Sequence, residues 1–151
     1  GPLNVPDAEM AVNNFMATAP EILDKYKWTG FLSAQEMARA LTAADMVVAR
    51  AGAGSIFEIA AFGKPSVLVP LEGAAGDHQT KNAYEYEKSG ACVVIEEPNL
   101  TPGVVIQKVG ELLNNPQKLV GMAQAAKSFA KPDAASIIAE EILRTPNWQS
   151  D

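Results

Sequence analysis

The chain has 151 residues, 48% of them hydrophobic and 20% charged, with a formal net charge of −6. That length suits one domain with a proper core, and the acidic balance, with its Lys and Arg scattered, argues against nucleic acid as the main partner. One cysteine (Cys92) and one histidine (His78) leave no disulfide framework and no His-based metal cluster, and no run approaches the ~20 apolar residues of a membrane helix.

In chain order, Gly1-Pro2 reads as the remnant of a cleaved tag, with residues 1–3 set aside from the fold. Residues 4–25 form an N-terminal helical segment, with Met10, Phe15, Met16, Ile22 and Leu23 at loosely helical spacing and Pro20 dividing it. The run 26–32 reads as a short strand. Residues 33–44 follow as a helix opened by a capping box of Ser33 and Glu36. Residues 45–50 are a β-branched strand, and 55–62 a helix closed by Gly63 and Pro65. Then come a strand at 66–70, a Gly/Ala-rich loop at 71–76, a helix at 77–88 for which Asp77 can serve as cap, and a strand at 91–97. Cys92, inside that last strand, reads as a small buried hydrophobe. Helices at 101–114, 116–130 and 133–144 complete the pattern, with Pro116 and Pro132 at starts where a missing N–H costs nothing. A short tail covers 146–151.

Short, nearly all-apolar strands separated by helices predict an α/β fold: a Rossmann-like, doubly wound parallel sheet with helices on both faces. Ligands in such sheets bind beyond the carboxyl ends of the strands, where the 45–50 strand runs into "RAGAGSIFE". Two readings of that stretch stand. In one, a bare turn of Gly52, Ala53 and Gly54 lets a phosphate or diphosphate approach the free amides of a helix start at Ser55. In the other, Ser55 and Glu58 are only a capping box and the glycines only a tight turn. No Gly-Lys-Ser/Thr follows, so the stretch is not a P-loop, and Phe57 stands where a dinucleotide fingerprint needs its third glycine. Glu58 would repel a diphosphate, so a functional Glu58 should face a neutral diol. The second candidate is 72–90, where His78, Gln79 and Asn82 fall in the first turns of a helix. Gln79 and Asn82 share a face, and their amides suit sugar hydroxyls. A solvated polar face is the plain alternative, and His78 alone reads as structural.

These stretches together resemble the C-terminal, donor-binding domain of the family 28 glycosyltransferases, the MurG-like UDP-N-acetylglucosamine transferases. Arg50, Gly52, Ala53 and Glu58, the Gly-Lys-Pro of 63–65, the Asp-His-Gln-x-x-Asn-Ala of 77–83 and the upstream 30–45 stretch carry the resemblance, which covers about residues 26–145. It implies a GT-B fold, of which 26–145 would be a truncated donor domain. It implies that amides around Ala53, Gly54 and Ser55 hold the donor diphosphate, with Arg50 and Gly52 in the same turn. Glu58 would bind the ribose diol, and His78, Gln79 and Asn82 the sugar. The donor would be UDP-N-acetylglucosamine and the acceptor an undecaprenyl-diphosphate-linked muramyl pentapeptide, in peptidoglycan synthesis.

The family's first donor-domain strand, its Gly-Gly-Ser-type loop and its N-terminal domain find no counterpart here. No catalytic residue, metal or cofactor is therefore expected of this chain, and the isolated polypeptide is expected to be inactive. The acceptor domain and the membrane contact belong to a parent protein, cytoplasmic and peripheral at the inner face of the membrane. A bare strand edge near 26–32 and 46–50 leads to the expectation of a homo-oligomer joined there. Two alternatives are another family 28 enzyme or subunit, such as a glycolipid synthase or a split N-acetylglucosaminyltransferase, and a binding or assembly module without activity. Turnover by this chain alone would eliminate the last, and activity only on adding a second polypeptide would favour the split enzyme.

Overall fold

The computed structural model describes residues 27, 29–73 and 75–144. The expected N-terminal helical segment and the C-terminal tail lie outside the described residues. The chain divides into two compact units, residues 1–39 and 40–151.

In the first unit, Lys27, Thr29 and Gly30 are irregular, so the strand expected over 26–32 does not form among the described residues. The physical reason is visible at Phe31, which is 101% exposed: a strand is stabilised by burying its side chains against neighbours, and here nothing covers this one. Helix α1, Ala34–Ala43, begins in this unit and ends in the second. Its capping box forms as expected. The Glu36 carboxylate accepts from the Ser33 amide at 2.9 Å and from the Ser33 hydroxyl at 2.7 Å, and Ser33 Oγ accepts from the Glu36 amide at 3.4 Å.

In the second unit, three strands form one parallel sheet in the order β1 (Val47–Arg50), β2 (Ser66–Val69), β3 (Cys92–Val94). Val48, Val67 and Val93 stand side by side in the register. The connections carry helices α2 (Ala53–Ala61) and α3 (His78–Lys88). Helices α4 (Pro102–Leu113), α5 (Pro116–Phe129) and α6 (Ala134–Arg144) come after β3. The expected strand 91–97 is shorter, because Pro98 lies in a single 3₁₀ turn, Glu97–Asn99, that ends the ladder.

Strand alternation divides the core in two. On one face Leu68 and Cys92 pack with Leu41, with Ile56, Ile59 and Ala60 of α2, and with Ala83 and Tyr86 of α3. On the other Val67, Val69 and Ile95 pack with Leu112 of α4 and Met122 of α5. The expected parallel α/β sheet covered on both faces is thus the observed one. The two crossovers step in the same direction across the sheet, from β1 to β2 to β3, and α2 and α3 pack on the same face. Cys92 is buried as expected, its thiol pushed up to about 12 by burial and donating to the Ala83 carbonyl at 3.8 Å.

The far end of α2 explains the Gly-Lys-Pro stop. The Gly63 amide bonds to the Ala60 carbonyl at 2.9 Å and the Lys64 amide to the Ile59 carbonyl at 3.1 Å, a Schellman pair with Gly63 left-handed at φ 61°. The Lys64 ammonium donates to the carbonyls of Thr42 and Ala44 at 3.0 and 2.9 Å. Those carbonyls lie at the end of α1, where a helix has no internal donors left.

Candidate functional site

Helix α2 begins earlier than its sequence suggests. Gly52 is the cap, with extended backbone (φ −65°, ψ 142°) and no side chain to offer, and its carbonyl accepts from the Ile56 amide at 3.0 Å. The amides of Ala53, Gly54 and Ser55 therefore stand at the carboxyl end of β1 without an intrahelical partner. This overturns the capping-box reading of Ser55 and Glu58. Ser55 is the third helical residue and Glu58 lies in the second turn, too far along to reach the cap. No acidic residue occupies the first turn.

The helix turns Ile56, Ile59 and Ala60 into the core, so Gly54, Phe57 and Glu58 fall on the exposed side. Gly54 and Glu58 are four apart and share a face, and helical side chains lean towards the N-terminus. Glu58 therefore stands one turn along the exposed face from the bare amides, with no hydrogen bond or ion pair among the described residues. At Gly54 an added Cβ would meet nothing within 4 Å. Space is open above the amides.

Helix α3 also begins uncapped. Asp77 occupies the cap position but sits left-handed, at φ 57° and ψ 29°, and makes no side-chain cap bond. Side-chain capping requires extended backbone at that position, so the expected Asp77 cap fails for a geometric reason. Gly76 before it is left-handed too, at φ 70°, and the His78 ring lies so close that a Cβ on Gly76 would come within 2.8 Å of Nε2. His78 is exposed and turned back onto the loop. Gln79 is half-buried, and its carbonyl oxygen accepts from the Leu71 amide at 3.1 Å. Asn82, one turn on, lines a small cleft of ≈ 90 Å³ with Ala53, Ile56, Phe57, Glu85 and Phe129. The structure thus brings Asn82 to the start of α2, while His78 and Gln79 engage the 71–76 loop. That cleft is far below the several hundred Å³ of a closed ligand pocket. The site is an open edge.

Arg50, at the end of β1, is held by Glu97: Nη2 lies 2.7 Å from Oε1. Glu97 Oε2 accepts from the Glu72 amide at 2.8 Å. These bonds hold the Glu97 carboxyl below the usual carboxylate range, the Glu72 amide contributing most and Arg50 next. Glu97 was legible only as the tail of a strand. The available signal was a carboxylate placed just past a parallel strand, on the edge where ligands bind.

A family model described as the glycosyltransferase family 28 C-terminal domain matches residues 8–138. The chain belongs to this family. A transferase of Clostridioides difficile, named UDP-N-acetylglucosamine–N-acetylmuramyl-(pentapeptide) pyrophosphoryl-undecaprenol N-acetylglucosamine transferase, is 44% identical over 113 residues, covering 75% of this chain and 28% of that protein. A protein of the same name from Xanthomonas campestris is 47% identical over 110 residues, covering 72% of this chain and 26% of its own length. The crystal structure of Acinetobacter baumannii MurG superposes with a TM-score of 0.70 at 35% identity, over 78% of this chain and 33% of that one. The chain thus spans about a third or less of the length of these relatives. The likeness places its sheet in the Rossmann-like, GT-B class, as the resemblance implied.

Proposed function

We propose that this chain is the donor-binding part of an inverting N-acetylglucosaminyltransferase. It would use UDP-N-acetylglucosamine to glycosylate an undecaprenyl-diphosphate-linked muramyl pentapeptide, with UDP as the leaving group. The observation that carries the proposal is the start of α2. Three free amides and the positive end of a helix dipole face open space at the carboxyl edge of a parallel sheet, with no acidic residue in the first turn. A diphosphate fits those amides, and they would stabilise the charge that grows on departing UDP. Glu58, one turn along the same exposed face, takes the ribose diol. His78, Gln79 and Asn82, in the first turns of α3, take the sugar, with Gln79 offering its amide N–H because its oxygen is engaged.

The acceptor site, the catalytic base and the membrane contact belong to the remaining length of such an enzyme, a cytoplasmic protein peripheral at the inner face of the membrane. No described helix is long and apolar enough to cross a membrane. Self-association through the outer edge of β1 is part of the same reading. That edge is unpaired among the described residues, and Val48 on it is 49% exposed.

The test is a titration of the 151-residue chain with UDP-N-acetylglucosamine and with UDP-glucose, followed by amide NMR. Weak binding is expected, with shifts at residues 50–58 and 77–82 and the larger response to the N-acetyl sugar. Shifts clustered elsewhere would place the site wrongly.

A further inference from the structure

Glu97 stands where no sequence motif points, and its two bonds join elements that are far apart in the chain. Arg50 ends β1, Glu72 lies in the loop after β2, and Glu97 follows β3. Strand β2 lies between β1 and β3 in the sheet, yet Arg50 Nη2 and Glu97 Oε1 meet at 2.7 Å. The Glu72 amide donates to the other carboxylate oxygen at 2.8 Å. One carboxylate ties the carboxyl ends of all three strands together. The root of the 71–76 loop is held twice, at Glu72 by Glu97 and at Leu71 by Gln79.

We propose that Glu97 is a positioning residue of the donor site, which fixes the Arg50 guanidinium and the root of the loop after β2 in the geometry that receives the diphosphate. The inference rests on the reading of this edge as a donor site. A guanidinium offers five donors in a rigid fork. Glu97 engages one end of it, which leaves the rest to meet an anion in a fixed orientation. An untethered arginine, 48% exposed at its side chain, would lose rotamer freedom on binding.

The sign of the effect makes the proposal testable. A carboxylate that is merely near a diphosphate repels it, so its removal would tighten binding. A positioning carboxylate, when removed, weakens binding. The experiment measures UDP affinity, melting temperature and the Arg50 Nε–H NMR signal in the 151-residue chain and in its Glu97→Gln and Glu97→Ala variants. In Glu97→Gln the side-chain amide oxygen can still accept from the Glu72 amide, but the charge that holds Arg50 is gone. We expect UDP to bind about threefold more weakly in Glu97→Gln and about tenfold more weakly in Glu97→Ala. Melting should be little changed, because the pair lies at the surface. The Arg50 signal should move to that of a free side chain. Unchanged or tighter UDP binding in both variants overturns the proposal and makes Glu97 a bystander charge. Loss of affinity in step with a lowered melting temperature overturns it too, in favour of a structural brace. Absence of UDP binding by the unsubstituted chain overturns the donor-site reading itself, and the inference with it.

Discussion

Five of the six helix starts among the described residues fall into two groups. Three are closed by side chains: α1 by the Ser33–Glu36 box, α4 by Thr101, whose hydroxyl accepts from the Val104 amide at 3.3 Å, and α5 by Asn115, whose oxygen accepts from the Lys118 amide at 3.1 Å. Two are left open: α2 behind Gly52 and α3 behind a left-handed Asp77. The open pair are the helices that follow β1 and β2, at the carboxyl edge of the sheet. A cap contributes about 1 kcal/mol, and the sequence supplies good capping residues elsewhere. Leaving α2 and α3 uncapped gives up stability where an anion would supply the missing partner. The capped helices serve the fold, and the uncapped ones are free to serve a ligand.

The largest expected effect comes from Glu58→Gln. The side chain is exposed and takes no part in a cap, so melting should be unchanged. A buried, aligned ribose bond to the charged carboxylate contributes roughly 1.5–3 kcal/mol, so UDP-N-acetylglucosamine affinity should fall at least tenfold by calorimetry. Equal affinity would remove Glu58 from the site.

Gly54→Asp sharpens the contrast by separating stability from binding. A Cβ at this position meets no atom within 4 Å, and a carboxylate in the first helical turn favours the dipole by roughly 0.3–1 kcal/mol. The melting temperature should hold or rise while UDP binding falls by about tenfold through like-charge repulsion. Thr101→Ala is the mirror image, with about 1 kcal/mol of stability lost and UDP affinity untouched. If Gly54→Asp leaves UDP binding intact, the open α2 start holds no anion.

The smallest effect is in pH dependence. Bonds from the Ser33 hydroxyl and amide hold the Glu36 carboxyl below its ordinary value. A folded-state pKa that is lowered contributes stability above the unfolded value, and this is lost as pH falls through the folded one. Acidification below the ordinary carboxylate range should therefore loosen the first turn of α1, seen as faster exchange of the Glu36 amide. The α2 start, with no acidic residue in its first turn, should not respond. A parallel response at Ala53–Ser55 would show that α2 depends on a carboxylate after all.

Much of this was legible in the residues themselves. The all-apolar runs around Val47–Arg50 and Ser66–Val69, the Ser33–Glu36 spacing, Gly63 as a helix stop and Pro116 as a helix start each act within one or two turns of chain, and each is realised. The carboxyl edge as the place for a ligand is likewise a reading of strand–helix alternation alone. Burial periodicity and stop residues are local physics, and a local window contains them. What the window lacks is the partner. Residues 26–32 have strand-like composition, yet nothing covers Phe31, and no strand forms among the described residues there. Ser55 and Glu58 have the spacing of a capping box. The helix nevertheless starts at Ala53, because Ile56, Ile59 and Ala60 must face Leu68 across the core and Gly52 is free to take the extended turn. Arg50, Glu72 and Glu97 meet only because three parallel strands end side by side. The sequence by itself determined most of the regular backbone, in the runs where burial pattern and stop residues act locally. Tertiary packing decided which amides stand open at the carboxyl edge and which side chains are held beside them, because those depend on contacts between residues that the chain separates and the sheet brings together.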